Sequence, residues 1–168
     1  MGLRELNQRK KKRGLKWELY KTNSGRIPKE LLSLFVDILR RVTPELLPSK
    51  PPISQLNDAE TEVLRRTLNF IERFGLDPNA SDETSNDTEI TVSLKPPIFE
   101  KVKGKSYREI FEFKISNTAN NPRFLACKRE PNRLVFLHGF KKKTRQLSNE
   151  DKDVALKRLK DLKNREGG

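Results

Sequence analysis

Leu134-Val135-Phe136-Leu137-His138-Gly139-Phe140-Lys141-Lys142-Lys143-Thr144 is the stretch on which the reading of this chain turns. Four consecutive apolar residues, two of them β-branched or aromatic, predict a buried strand. His138 falls at the end of that strand, and Gly139 permits the chain to turn after it. Three lysines follow. A strand end presents its last side chains at a sheet edge, so this arrangement offers one imidazole next to a cationic run. A strand with a structural histidine followed by a solvated basic turn fits the same residues, and the stretch alone leaves both readings open.

Working outward, Arg123 to Lys128 and Arg133 to His138 predict two strands joined by Arg129-Glu130-Pro131-Asn132, a four-residue hairpin connection. Tyr107, Phe111, Phe113 and Ile115 share a phase, which predicts a strand over 107–115. Thr91-Val92-Ser93-Leu94 predicts a short strand that Pro96-Pro97 interrupts. Near the N-terminus Leu15, Trp17 and Leu19 alternate with polar residues and predict a first strand. Pro28 suits the first position of a helix over 28–42. Asn57 with Glu60 forms a capping box for a helix over 57–74, closed by Gly75. Ser148 caps a last helix carrying Val154, Ala155, Leu159 and Leu162. The expected fold is α+β, with an antiparallel sheet, an N-terminal helical pair and a C-terminal helix. The expected layout is a basic arm over 1–14 and one domain over 15–168. That domain contains a proline-rich connector over 43–56 and an acidic insert over 77–90.

The 168 residues include 36 Lys and Arg against 23 Asp and Glu, a net charge of +13. Counted by segment, the net is +6 over 1–16, +1 over 17–75, −4 over 76–97 and +10 over 98–168. Clustered positive charge attracts polyanions, with nucleic acid the leading class. The acidic insert beside the basic block also offers a mask in cis. Only 33% of residues are apolar, yet they recur in blocks, which argues against a disordered chain. Cys127 is the only cysteine, which excludes an internal disulfide and a Cys-rich zinc module. With no apolar leader and no run near the roughly 20 residues of a membrane span, the expected setting is cytoplasmic, with no membrane partner.

The chemistry is narrowed further by what is missing. There is no GxxxxGK[ST] phosphate loop, no HExxH, no zinc-ligand spacing and no GxSxG elbow, so no metal or cofactor is expected. His138 is the only histidine. An excess of Lys and Arg with one imidazole suits RNA cleavage by attack of a 2′-hydroxyl on the adjacent phosphorus. That reaction needs a proton acceptor, a proton donor for the leaving 5′ oxygen, and cations for the developing charge. Crowded cations also lower a neighbouring lysine's pKa, which fits it for proton transfer.

Arg133–Arg145 resembles the phage-derived branch of the RelE/HigB toxin superfamily, whose pattern is an apolar strand, Leu-His-Gly-Phe, one variable residue and Lys-Lys-Thr. Asp153-Val154-Ala155-Leu156-Lys157-Arg158 is similar to the helix that follows there. Trp17 to Pro28 resembles the family's opening strand and turn, and Ile71 to Leu76 the end of its second helix. Glu112-Phe113-Lys114 falls where Glu-Leu-Arg is expected, and Arg123 at the usual second Arg. The resemblance spans about 15–76 and 98–164. Lys114 departs from the pattern by losing the planar two-pronged grip of Arg, and no Tyr stands between Phe111 and His138.

The resemblance implies a RelE-like toxin of a type II toxin–antitoxin pair. Its activity would be that of a metal-independent mRNA endoribonuclease working at the ribosome, held in check by a cognate antitoxin of the helix-turn-helix type. It implies catalytic roles for His138, Arg123 and Lys114. Lys141, Lys142, Lys143 and Arg145 would bind flanking RNA, and Lys101, Lys103 and Arg108 lie in the family's basic strand region. A non-catalytic RNA- or ribosome-binding protein on the same fold is the alternative.

Overall fold

A computed structural model describes residues 14–80, 94, 98–142 and 146–167. The basic arm 1–13, most of the acidic insert, the strand expected from Thr91, and the site residues Lys143 and Arg145 lie outside the described residues.

The order of elements is β1 (Lys16–Leu19), α1 (Lys29–Val42), α2 (Asp58–Phe74), β2 (Phe99–Lys101), β3 (Ile110–Lys114), β4 (Pro122–Arg129), β5 (Arg133–Lys141) and α3 (Asn149–Glu166). Five strands form one sheet in the order β1-β5-β4-β3-β2. The fold is α+β, as expected, with its helical pair and C-terminal helix in place. One feature differs. β1 runs parallel to β5, so the sheet is mixed rather than wholly antiparallel. Alternation of apolar residues assigns side chains to faces and is the same read in either direction, so it carries no information on strand polarity.

The helices follow local rules. Asn57 Oδ1 accepts from the Glu60 amide at 2.8 Å, and Glu60 Oε1 accepts from the Asn57 amide at 3.0 Å, closing the capping box of α2. Gly75 ends it at φ +66°, a conformation glycine adopts without strain. Pro28 stands one residue before α1 rather than within it. The connector contains a 3-10 turn over Pro44–Leu46 and returns against α1, where the Gln55 amide donates to Ser33 O.

The strand expected over 107–115 is shorter. Lys105–Tyr107 form a 3-10 turn, and Gly104 at φ +118° bends the chain before it. Tyr107 shares the phase of the strand but is half-buried, and its hydroxyl donates to Asp153 of α3 at 2.6 Å. The edge strand β2 was not legible in the sequence. Its three residues pair with β3 and are too few to show a period.

The helices cover the two faces unequally. Phe35 of α1 meets Phe124 and Phe136 with ring centroids 5.5 and 5.2 Å apart, and Trp17 of β1 at 5.9 Å. α3 lies on the opposite face and buries Ala155, Leu159 and Leu162. Its length is anchored by Tyr20, which donates to Asp161 at 2.5 Å, and by Glu166, which accepts from Arg129 and Arg133 at the hairpin.

Candidate functional site

Register decides which charged residues meet. Lys114 pairs with Arg123, Arg123 with Phe140, Glu112 with Leu125, and Leu125 with His138. Directly paired residues project to the same face, so Glu112, Lys114, Arg123, His138 and Phe140 share one face. A bulge makes this possible. Leu125 pairs with His138 but Ala126 pairs with Phe136, leaving Leu137 as the extra residue of β5. Without it His138 would share the face of Phe136, beneath α1. The bulge inverts the phase and turns the imidazole to the α3 side. Gly139 then faces α1 so closely that a Cβ would stand 2.5 Å from Leu34 Cδ1.

The loop before β4 is fixed from α2. Glu60 is fully buried, and its carboxylate accepts from the Asn120 amide at 2.9 Å and from Asn120 Nδ2 at 2.6 Å. Asn117 and Asn121 take positive φ of 61° and 43°, which asparagine tolerates better than most residues. The loop delivers Ser116 to Arg123, whose Nη1 donates to Ser116 Oγ at 3.2 Å.

Arg123 is only 8% exposed, and its Nε has no hydrogen-bond partner. Burial lowers its pKa, against the attraction of Glu112. Glu112 is also 8% exposed, with Oε2 unpartnered and Oε1 3.8 Å from Lys114 Nζ. Lys114 Nζ donates to Glu100 at 3.1 Å. Lys142 extends the β4–β5 ladder, its amide donating to Asn121 O at 3.1 Å. Two residues beyond Phe140, it returns to the same face. Its pKa is lowered by burial first, then by Arg123 and Lys114, with Glu112 opposing. Three cations therefore crowd one end of the sheet around a single buried carboxylate. A buried unpaired donor is costly, and a bound anion would satisfy it.

His138 shares the face but not the cluster. It is 6% exposed, and Phe140 stacks on its ring at 5.4 Å. Its Nε2 is 2.7 Å from Asp151 Oδ1 in the first turn of α3, and Nδ1 is 3.5 Å from Arg158 Nη1. Arg158 also donates to Leu137 O at 2.8 Å and to Glu30 Oε1 at 2.7 Å. Burial pushes the Glu30 carboxyl up, but the Arg158 hydrogen bond and the charges of Arg158 and His138 hold it below its usual value. Both imidazole nitrogens are thus engaged by α3. α3 starts at His138 and runs towards the hairpin, so Phe140, Arg123 and Lys114 lie beyond its first turn.

The remaining cations fall elsewhere. Lys101 pairs with Phe111 and lies over its ring at 6.0 Å, on the α1 face. Lys103 and Arg108 sit in the exposed β2–β3 connection, at the end of the sheet away from Lys114. Lys141 is exposed at the strand end, turned to the α1 side by alternation. Ser116, Glu100, Asp151 and Arg158 were not singled out from the sequence, nor was Glu112 given a role. Glu112 had a readable signal, since alternation in Ile110-Phe111-Glu112-Phe113-Lys114 puts it on the face of Lys114. Asp151 and Arg158 had none, being polar residues of a mostly polar helix. Among the described residues no group of three or more His, Cys, Asp or Glu could hold a metal ion, and no helix is long and apolar enough to cross a membrane.

A mixed five-stranded sheet with an N-terminal helical pair on one face and a C-terminal helix on the other is consistent with the fold of RelE-like toxins. Within that class the chain belongs to the family described as "Phage derived protein Gp49-like (DUF891)", whose profile matches residues 53–160. That family lies in the RelE/HigB-type toxin superfamily, and membership implies a cognate antitoxin. The match opens in the connector and ends inside α3, leaving β1 and α1 outside it. A search of curated proteins found no match.

Proposed function

We propose that this chain is the toxin of a type II toxin–antitoxin pair and cleaves messenger RNA at the ribosome by 2′-hydroxyl attack. The observation that carries the reading is the convergence of Lys114, Arg123 and Lys142 at the end of one sheet face that lies beyond the first turn of α3, with Arg123 Nε buried and unpartnered. A phosphodiester oxygen is the ligand class that such a donor set accepts. The mechanism uses cations to stabilise the charge that develops on phosphorus, and proton transfers that need no metal.

In this reading Arg123 and Lys114 hold the scissile phosphate. Lys142 stands with them, and Lys141, Lys143 and Arg145 keep their expected role as contacts to flanking RNA. Lys101, Lys103 and Arg108 are too far round the sheet for the same phosphate and would meet more distant RNA or the ribosome. His138 holds the rim through Asp151, Arg158 and Phe140. The antitoxin, of helix-turn-helix type, would cover this face.

The ion pair of Lys114 with Glu100 and the double engagement of His138 favour one second reading, an RNA-binding protein without cleavage. Inducible expression separates them. Growth arrest with transcript cleavage, lost in Arg123→Ala and reduced in His138→Ala, supports the nuclease. Cleavage equal to wild type in both variants removes this face as the site, and salt-sensitive RNA binding without cleavage selects the second reading.

A further inference from the structure

We propose that Lys142 is the proton donor to the leaving 5′ oxygen. This rests on the nuclease reading and adds to it a named residue and step. The 2′ oxygen forms its bond to phosphorus while the P–O5′ bond breaks. The 2′ proton leaves to water, Lys142 Nζ gives a proton to the 5′ oxygen, and solvent restores the ammonium. The products are a 2′,3′-cyclic phosphate and a 5′ hydroxyl, so atoms and charge balance without a co-reactant.

The placement comes from the ladder. The amide of Lys142 is tied to Asn121 O, which continues the β4–β5 register one residue past the strand. That sets Lys142 opposite Asn121, a diagonal neighbour of Arg123 on the face of Phe140. The charged groups around it are Arg123 from β4, Glu112 and Lys114 from β3, and Glu100 of β2 behind Lys114. Two of the cations have other duties. Arg123 cannot release a proton near neutral pH, and Lys114 is held by Glu100. His138 has both ring nitrogens occupied by α3. Lys142 has no hydrogen bond or ion pair from its ammonium among the described residues, so its protons remain available. Its half-burial and the repulsion of Arg123 and Lys114 lower its pKa, the direction a general acid requires.

A substrate with sulfur in place of the bridging 5′ oxygen tests the step, because a thiolate leaves without a proton. The mRNA carries that single substitution at the cleaved linkage, and rates are measured from pH 6 to 9 for wild type, Lys142→Arg and Lys142→Ala. On the oxygen substrate both variants should lose about 10²-fold, typical of a missing general acid, and the alkaline fall of the wild-type profile should disappear. On the sulfur substrate both should recover to within a few-fold of wild type. Arg keeps the charge and the fold, so equal loss on both substrates would show that Lys142 acts by charge or packing and would overturn the proposal. Full activity of Lys142→Arg on the oxygen substrate would overturn it too, with the nuclease reading intact. A wild-type protein that cleaves neither substrate, with or without ribosomes, would remove the nuclease reading and this step together.

Discussion

On one face of β3, β4 and β5, Phe113, Phe124 and Phe136 join Phe35 in ring contacts with centroids between 5.2 and 6.1 Å apart. On the other, alternate residues of the same strands are Glu112, Lys114, Arg123 and His138. Both sets are largely buried, but burial acts oppositely on them. For the aromatic face it removes apolar area from water and stabilises the fold. For the charged face it desolvates ions that are only partly compensated, which costs stability. Period-two alternation lets one stretch of chain do both. The bulge at Leu137 is the device that hands His138 from one set to the other.

Substitutions on the two faces should therefore fail in different ways. Phe136→Ala empties space at the centre of the aromatic face and should cost about 3–5 kcal/mol in urea unfolding. A loss below about 1 kcal/mol would mean that this face does not hold the fold. Arg123→Met should do the reverse. It should leave stability within about 1 kcal/mol, because it removes a desolvated charge with Lys114 and Lys142 left to offset Glu112, while cleavage falls about 10²–10³-fold, the scale of a lost charge-stabilising donor. If Arg123→Met unfolds the protein, the arginine is structural and the division between the faces is wrong.

The amount of each face that sequence revealed follows from the same physics. The aromatic face was legible because Phe111, Phe113, Phe124, Leu134 and Phe136 repeat at a spacing that burial imposes. The charged face was legible only where it resembled a family, at Lys114, Arg123 and His138. Its pairing was not, because register is set by the bulge and by two positive-φ asparagines, and neither leaves a periodic trace. The clamp on His138 was invisible for a stronger reason. Asp151, Arg158 and Glu30 come from two helices, and any polar residue on those faces would have read the same. β1's polarity belongs to the same class, a property of the assembled sheet that no local pattern encodes.

Smaller substitutions sharpen the division within single strands. Gly139 follows His138 in the chain but faces α1. Gly139→Ala would bring a methyl to 2.5 Å from Leu34 Cδ1, the end of a flexible side chain. The expected cost is about 1 kcal/mol, the low end for overpacking, with RNA cleavage unchanged at temperatures where the protein is folded. Lost cleavage at full stability would show that the two faces are coupled through the backbone.

Cys127 tests the covered part of the α3 side. Burial pushes its thiol up to about 12, far above the unfolded value of 9.0. A raised folded pKa gives stability that is complete below pH 9 and lost as pH rises towards 12, because only the unfolded chain can ionise. Cys127→Ala should lack that alkaline decline, relative to wild type, in urea midpoints measured from pH 8 to 10.5. The native thiol should also resist alkylation at pH 8. Rapid labelling of the folded protein would mean that α3 leaves this part of the sheet often.

The smallest effect concerns single phosphate contacts. Lys142 lies on the charged face, whereas Lys101 stands over Phe111 on the aromatic one. If RNA follows the charged face, Lys142→Ala should flatten the slope of log affinity against log salt by roughly 0.7, the value of one single-strand phosphate contact. Lys101→Ala should leave the slope unchanged. Equal changes from both would mean that RNA wraps the β2 edge and touches both faces. A change from Lys101 alone would move the path of the strand to the α1 side. Arg123 would then be a buried donor with no anion to meet, and the proposed site would have to be sought along the β2–β3 connection, near Lys103 and Arg108.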